Sequence, residues 1–414
     1  MHTFTLVFLA ALALSFAVEF WLQRRHLSHV TVHRDEVPEA FRASITLEAH
    51  RKAADYTVAK GRLGEWESGA EIAVLLLFTL GGGIDLAGRT WAVAGWAEPW
   101  NGVALVLSTL LLMQLLTLPL AIYRTFVIEQ RYGFNRTTPR QFAIDMGLQL
   151  ALTLVLGGPL LALILWVMAG LGTWWWVWAW AILQVFTLFM LWAFPTFIAP
   201  LFNKFTPLED ATLRQRIEAL LGRCGFASKG IFVMDGSRRS GHGNAYFTGI
   251  GTNKRIVFFD TLVESLSHDE LEAVLAHELG HFKHKHVLKM SLANAAITLA
   301  GLAVLGWLSG QDWFYQGLGV SQASNAAALL LFLLVSPAFT LFLKPLGAYF
   351  QRRHEFQADD FAAAQARPEH LINALVKLYR DNASTLTPDP LYTAFHYSHP
   401  PAAIRIAHLA AKAA

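Results

Sequence analysis

His277-Glu278-Leu279-Gly280-His281 holds the residues of this chain best suited to chemistry. On an α-helix the spacing sets two imidazoles one turn apart on one face, where their nitrogens can share a divalent metal ion. Glu278, one step round from His277, is then within reach of a metal-bound water and can take its proton during attack on a peptide carbonyl. The register also recurs by chance, so the helix must be argued separately. Ser267 followed by Glu270 reads as a capping box, and Leu271, Val274, Leu275, Leu279 and Phe282 recur behind it at helical spacing. Both histidines lie beside that apolar stripe.

A catalytic zinc site normally takes three protein ligands and keeps a fourth position for water. The best candidate for the third is Glu355, in the helix-compatible run Arg352 to Ala362, which sets Glu355 and Asp359 on one face. Glu355 would bind the metal, and Asp359 would orient a ligand histidine through its free ring nitrogen. An exposed charged helix would show the same pattern, and His284, His286 and His354 are alternative third ligands.

Composition places this chemistry at a membrane. Of 414 residues 54% are hydrophobic and 15% charged, with a mean hydropathy of +0.39, too apolar for an ordinary soluble chain. Seven apolar stretches approach the roughly twenty residues that cross a bilayer: Phe4 to Leu22, Ala70 to Leu86, Val103 to Tyr123, Phe142 to Ala169, Trp174 to Ile198, Val287 to Leu308 and Ala326 to Leu346. Gly81-Gly82-Gly83 interrupts the second.

Positive residues alternate between the connections. Arg24, Arg25, Arg34, Arg42, Arg51, Lys52, Lys60 and Arg62 follow the first segment, and Arg124, Arg131, Arg136 and Arg140 follow the third. The loops after the fifth and seventh are basic as well, whereas Arg89 stands alone after the second. The positive-inside rule therefore puts the amino terminus outside and both metal-ligand segments in the cytoplasm. Arg24-Arg25 lies after the first apolar run, not before it, which fits a retained anchor better than a cleaved signal. The single cysteine, Cys224, excludes an intramolecular disulfide, and a net charge of +3 gives no reason to expect nucleic acid as a partner.

Between the fifth and sixth segments lies a soluble insertion, residues 202–286. It contains an amphipathic helix near Leu213 to Leu221, a strand-like run at Ile231 to Met234, and a hairpin of Asn244 to Gly249 with Arg255 to Phe259 across a Gly/Asn-containing turn. An edge strand there could hold an extended peptide by strand addition, or could simply close the domain. The expected layout is residues 1–201 as five membrane helices, 202–286 as the metal-site insertion, 287–350 as two further membrane helices, and 351–414 as the remainder of the soluble part. If the metal helix runs on into the sixth segment, the metal sits roughly 10 Å from the membrane boundary, and Glu355 emerges on the same side.

The chain resembles the integral-membrane zinc metallopeptidases of the CAAX prenyl endopeptidase family over nearly its full length. The resemblance is carried by Tyr56 to Arg62, Ile128 to Asn135, Pro200 to Phe205, Asn244 to Phe247, His277 to His281, Glu355 to Asp359, and Tyr397 to Pro401 with Arg405. It implies a mainly α, polytopic fold in which seven helices surround a chamber closed on its cytoplasmic side by a gluzincin-like protease domain with a small β-sheet. It implies one zinc ion per chain on His277, His281 and Glu355, Glu278 as the base, and Asp359 as the orienting carboxylate. Asn244 is similar to a substrate-backbone contact, His399 to a transition-state contact, and Arg405 to a structural or substrate-binding partner. The activity implied is hydrolysis of peptide bonds, in that family removal of the last three residues after a prenylated cysteine.

The Ala- and Trp-rich composition suggests a bacterial chain, hence an inner membrane, where prenylated proteins are not ordinarily made. Quality control of membrane proteins is therefore an alternative role. A reading of another class is a transporter or scaffold that keeps zinc for structure, with Glu19, Gln114, Asp145, Gln149 and Gln184 along a water-filled path.

Overall fold

A computed structural model describes residues 2–226, 228–248 and 255–413. Among them six helices are long and apolar enough to span a membrane, and a bent pair makes a seventh span. The first is α1 (Thr3–Val32); the bent pair is α2 (Leu47–Phe78) and α3 (Gly83–Ala94), which meet at 51°. The bend falls on the three glycines read as an interruption. Gly82 has a φ of 78°, and a Cβ on Gly81 would meet the Leu77 carbonyl oxygen at 2.5 Å. Next come α4 (Trp100–Tyr123), α5 (Pro139–Leu152) with α6 (Gly158–Gly170) as one crossing, and α7 (Trp175–Ala193), extended to the short α8 (Ala199–Phe202).

The insertion then folds as a small mixed sheet with helices against it. Strands β1 (Phe205–Pro207), β2 (Ile231–Met234), β3 (Ala245–Thr248) and β4 (Arg255–Phe259) lie in the order β1-β2-β4-β3. β3 and β4 form the expected antiparallel hairpin, with Ala245 opposite Phe258, while the turn at residues 249–254 lies outside the described residues. β2 pairs parallel to β4, which leaves β4 in the interior, and Ile256, Val257 and Phe258 are all buried. Leu213, Ile217 and Leu220 of α9 (Ala211–Cys224) share their apolar core with Leu271, Leu275 and Leu279 of α11 (His268–Lys283), and the one-turn helix α10 (Asp260–Ser265) links β4 to α11.

The sixth span, α12 (His286–Leu308), does not continue α11. Lys285 between them adopts a left-handed φ of 56°, so the chain turns immediately after the metal motif. After the short α13 (Asp312–Gly317), the seventh span is α14 (Asn325–Thr340), which leads into α15 (Lys344–Gln365). The chain closes with α16 (Pro368–Asp381), α17 (Pro390–His396) and α18 (Ala402–Ala413) around the protease core.

Packing of α4 and α12 is concentrated at the end away from the sheet. In α4 the buried residues are Gly102, Val103, Leu105, Val106 and Thr109, all in its first half; in α12, apart from His286 at its start, they are Leu302, Leu305 and Leu308 near its finish. These join Phe8, Ile84, Leu165, Trp175 and Leu330 in one apolar core. α5 buries none of its residues. The halves of α4 and α12 nearer the sheet thus bury little, whereas α1 and α2 bury residues there as well, among them His26, Leu27, Val30, Tyr56 and Leu63.

Candidate metal and catalytic centre

The centre is made where α11 crosses α15. α11 starts where its sequence says it should: the Ser267 hydroxyl accepts from the Glu270 amide and the Glu270 carboxylate accepts from the Ser267 amide. Lys377 of α16 binds the same carboxylate at 2.7 Å. The crossing is close because Gly280 has no side chain. A Cβ there would stand 2.8 Å from the Ala358 Cα, and Ala358 lies between Glu355 and Asp359 on α15. That contact carries both carboxylates over the two histidines.

His277 Nε2 and His281 Nε2 are 3.3 Å apart, and each faces Glu355, at 3.4 Å and 3.3 Å. Metal bonds of about 2.0–2.1 Å in a tetrahedron give ligand-to-ligand edges of about 3.3–3.4 Å; the two imidazoles stand at that spacing, and Glu355 faces them with a different oxygen toward each, Oε2 toward His277 and Oε1 toward His281. Glu355 is 5% exposed, and its Oε2 is buried without a hydrogen-bond donor. The Arg405 guanidinium, with Nη1 3.5 Å from that oxygen, offsets part of the cost of burying it, and a metal ion would supply the closer partner it lacks. Two imidazoles and one carboxylate, with one side of the polyhedron open, fit a metal ion that keeps a water.

A second layer fixes the ligands. The His277 Nδ1–H donates to Asp359 Oδ1 at 2.9 Å, which leaves Nε2 as the lone pair facing Glu355. Asp359 is fully buried and is held by Arg405 of α18 through a fork, Nε to Oδ2 at 2.9 Å and Nη2 to Oδ1 at 2.6 Å. His281 is fixed in parallel: its Nδ1 lies 3.0 Å from His286 Nδ1, whose Nε2–H donates to Gln357 Oε1 at 2.8 Å. The glutamine assigns the His286 tautomer, and His286 in turn assigns that of His281. Burial presses the His277 pKa down and Arg405 adds to that, yet the Asp359 and Glu355 carboxylates outweigh both and raise it to about 9. Burial likewise works against the Arg405 charge, but Asp359 and Glu355 raise its pKa on balance.

The remaining sequence candidates fall around the open side. Glu278 is half-buried with no ion-pair partner among the described residues, so its carboxylate is available to a water. His399, in the turn between α17 and α18, brings Nε2 to 3.4 Å from Glu355 Oε1. Its side chain is 64% exposed, and desolvation by the protein on its inner side shifts its pKa downward against the pull of the Glu355 carboxylate. Asn244 is exposed at the head of β3, its Oδ1 accepting from the Ala245 amide at 2.8 Å and its carbonyl from the Phe259 amide at 2.9 Å. Its side-chain NH2 is left for a ligand. The structure thus gathers His277, His281, Glu355, Asp359, Arg405 and His399 into one cluster and sets Glu278 and Asn244 on its margins. Of the alternative third ligands, His286 stands behind His281, and His354 stacks on His286 at 4.0 Å.

Comparison with known proteins gives the same reading over the whole chain. A family model described as "CAAX prenyl protease N-terminal, five membrane helices" matches residues 26–204, and one described as "Peptidase family M48" matches residues 207–413. The chain belongs to peptidase family M48. Among M48 relatives, CAAX prenyl protease 1 of Saccharomyces cerevisiae is 34% identical over 95% of this chain and 92% of its own length. A CAAX prenyl protease 1 homolog of Arabidopsis thaliana is 39% identical over 71% of this chain and 69% of its own. The crystal structure of S. mikatae Ste24p superposes with a TM-score of 0.91 at 32% identity, covering 99% of each chain. The chain is therefore an integral-membrane M48 metallopeptidase acting on a peptide or protein, and the transporter and scaffold readings are not favoured.

Sequence reasoning missed the Gln357–His286 pair as a support of His281. A histidine five residues after His281 was visible, but its partner comes from α15, and nothing local connects the two.

Proposed function

We propose that this chain is a zinc endopeptidase of the cytoplasmic face of a bacterial inner membrane, with its amino terminus outside, holding one zinc ion on His277, His281 and Glu355. The observation that carries the site is the gathering of three buried or half-buried side chains, two imidazoles with Nε2 atoms 3.3 Å apart, one Glu355 oxygen 3.4 Å from the first and the other 3.3 Å from the second. Bound there, zinc would polarise a peptide carbonyl and make its water a nucleophile near neutral pH. Glu278 takes the proton of that water and returns it to the leaving amine. The neutral His399 ring donates an N–H toward the oxygen that becomes negative as the carbonyl is attacked. Asp359 and Arg405 keep His277 in the tautomer that presents Nε2, and Asn244 holds the substrate backbone beside β3, the exposed edge of the sheet.

The substrate is a peptide reached from the membrane, and the resemblance favours the carboxyl-terminal end of a prenylated protein. The four-part layout at residues 201/202, 286/287 and 350/351 is supported by the sheet-bearing insertion between α8 and α12. α15 runs unbroken through residue 350, so the last division is one of surroundings, not of chain direction. Purified protein should contain one zinc per chain and cut a farnesylated carboxyl-terminal peptide. The Glu278→Gln variant should keep its zinc and lose cleavage by at least a hundredfold. Full cleavage by that variant would remove Glu278 from the mechanism, and cleavage of unfolded membrane protein alone would move the role to quality control.

A further inference from the structure

Lys60 of α2 lies in the Tyr56 to Arg62 stretch, which supplies nothing to the hydrolytic centre. Its ammonium stands 3.8 Å from the centre of the Tyr56 ring, and among the described residues it has no carboxylate at ion-pair distance. The nearest candidate, Glu129, is already engaged: it accepts from the Tyr56 hydroxyl at 2.7 Å and 2.8 Å and lies 3.7 Å from His242 Nε2. Lys60 opens onto a cavity of about 450 Å³ between α1, α2 and the C-terminal helices. Tyr379 and Tyr397 form its far wall; the first is an electrostatic neighbour of Arg405 and Glu355, and the second precedes His399 by two residues. The cavity is thus lined both by this unpaired cation and by Tyr397, two residues before His399.

The direction of β3 says what would arrive there. A peptide adding antiparallel to β3, the more stable pairing, runs from the Thr248 end toward Asn244. Residues beyond the scissile bond then pass Asn244 toward Gly243 and His242. His242 Nε2 is 3.5 Å from the Tyr56 hydroxyl, and the Lys60 ammonium lies over the same Tyr56 ring. Asn244 to His242 is two residues of chain, and three extended substrate residues cover about 10 Å. Resting on the reading of β3 as the strand to which substrate adds, we propose that Lys60 binds the free carboxyl-terminal carboxylate of the substrate, about three residues beyond the bond that is cut. An ammonium on an aromatic face with no counterion gains a charge-assisted hydrogen bond from that group, whereas an amide end or a continuing chain leaves it unpaired. The site selects chain ends by charge.

Two peptides identical except for a free acid or an amide at the end three residues past the scissile bond test this. Wild type should prefer the acid by about tenfold to hundredfold in kcat/KM, chiefly through KM. In Lys60→Met the ratio should collapse toward one, and Lys60→Arg should keep part of it, with zinc content measured throughout. The same pair titrated onto Glu278→Gln by fluorescence anisotropy should show the same preference without turnover. A wild-type ratio near one, in cleavage or in binding, overturns the proposal, and so does a Lys60→Met ratio equal to wild type. Acid preference in binding with no cleavage of either peptide would instead count against the hydrolytic reading and leave the carboxylate site standing.

Discussion

Arg405 shows how much of this centre depends on a side chain that acts through another. Its guanidinium is 7% exposed and spends its fork on Asp359, the carboxylate that holds His277. Lysine cannot copy that fork, because its ammonium is a point donor on a flexible stem. Arg405→Lys should therefore lower zinc affinity by about ten- to a hundredfold in a chelator competition, with the fold retained. Unchanged affinity would show that Asp359 holds its place unaided. Glu355 and Asp359 were legible in the sequence because they sit four residues apart on one helix, a spacing that can be read without any partner. The charge that locks Asp359 comes from 46 residues further on, and only the family resemblance, not local pattern, pointed to Arg405.

The crossing of α11 on α15 converts two separate motifs into one centre, and Gly280 decides how closely they approach. A methyl group there would face the Ala358 backbone, which cannot swing aside as a flexible side chain can. Gly280→Ala should force the helices apart by a few tenths of an ångström or more, cost about 1–3 kcal/mol in stability, and weaken zinc binding in parallel. Loss of stability with full zinc affinity would separate the packing from the site. The start of α11 carries its own pH dependence. Burial opposes the charge on Glu270, but Lys377 and the Ser267 cap lower its pKa below that of a free carboxyl. A depressed carboxyl contributes stability above its unfolded pKa, about 4.3, and loses it as the pH falls through the lower folded value. Glu270→Gln should therefore cost about 1 kcal/mol at neutral pH and flatten the acid limb of a thermal-melt series, and an unaltered limb would count against it. The capping box and the hairpin were readable because each is a local pattern. The parallel pairing of β2 with β4 and the break at Lys285 were not, since neither glycine nor proline marks the second and no short-range signal marks the first.

At the scale of the molecule, helices such as α4, α5 and α12, which bury little near the sheet, leave other ties to fasten the bundle there. Three side-chain clamps supply them: Arg25 to Asp389, Lys344 and His396 to Glu19, and Asp145 to Arg239. Asp145 could be read from sequence as part of a water-filled path, because a lone carboxylate in an apolar segment carries no sign of its partner. The structure gives it two 2.8 Å bonds from the Arg239 guanidinium, whose third arm reaches Asn203 Oδ1 at 3.0 Å. The same loop binds the chain just before α5, since the Arg239 carbonyl accepts from the Arg136 amide and the Thr137 hydroxyl at 3.1 Å each. With no buried residue of its own, α5 is fastened at its protease end mainly by this clamp. Asp145→Asn removes the charge and one acceptor while keeping the shape, so Arg239 loses its fork and α5 loses its anchor. Amide hydrogen exchange on the full chain in detergent should then quicken by about tenfold or more across residues 139–152, while α11, capped and packed on its own core, keeps its protection and its zinc. Faster exchange in α11 as well would mean that the clamp supports the protease core directly, and no change in either helix would mean that lipid alone holds α5 upright.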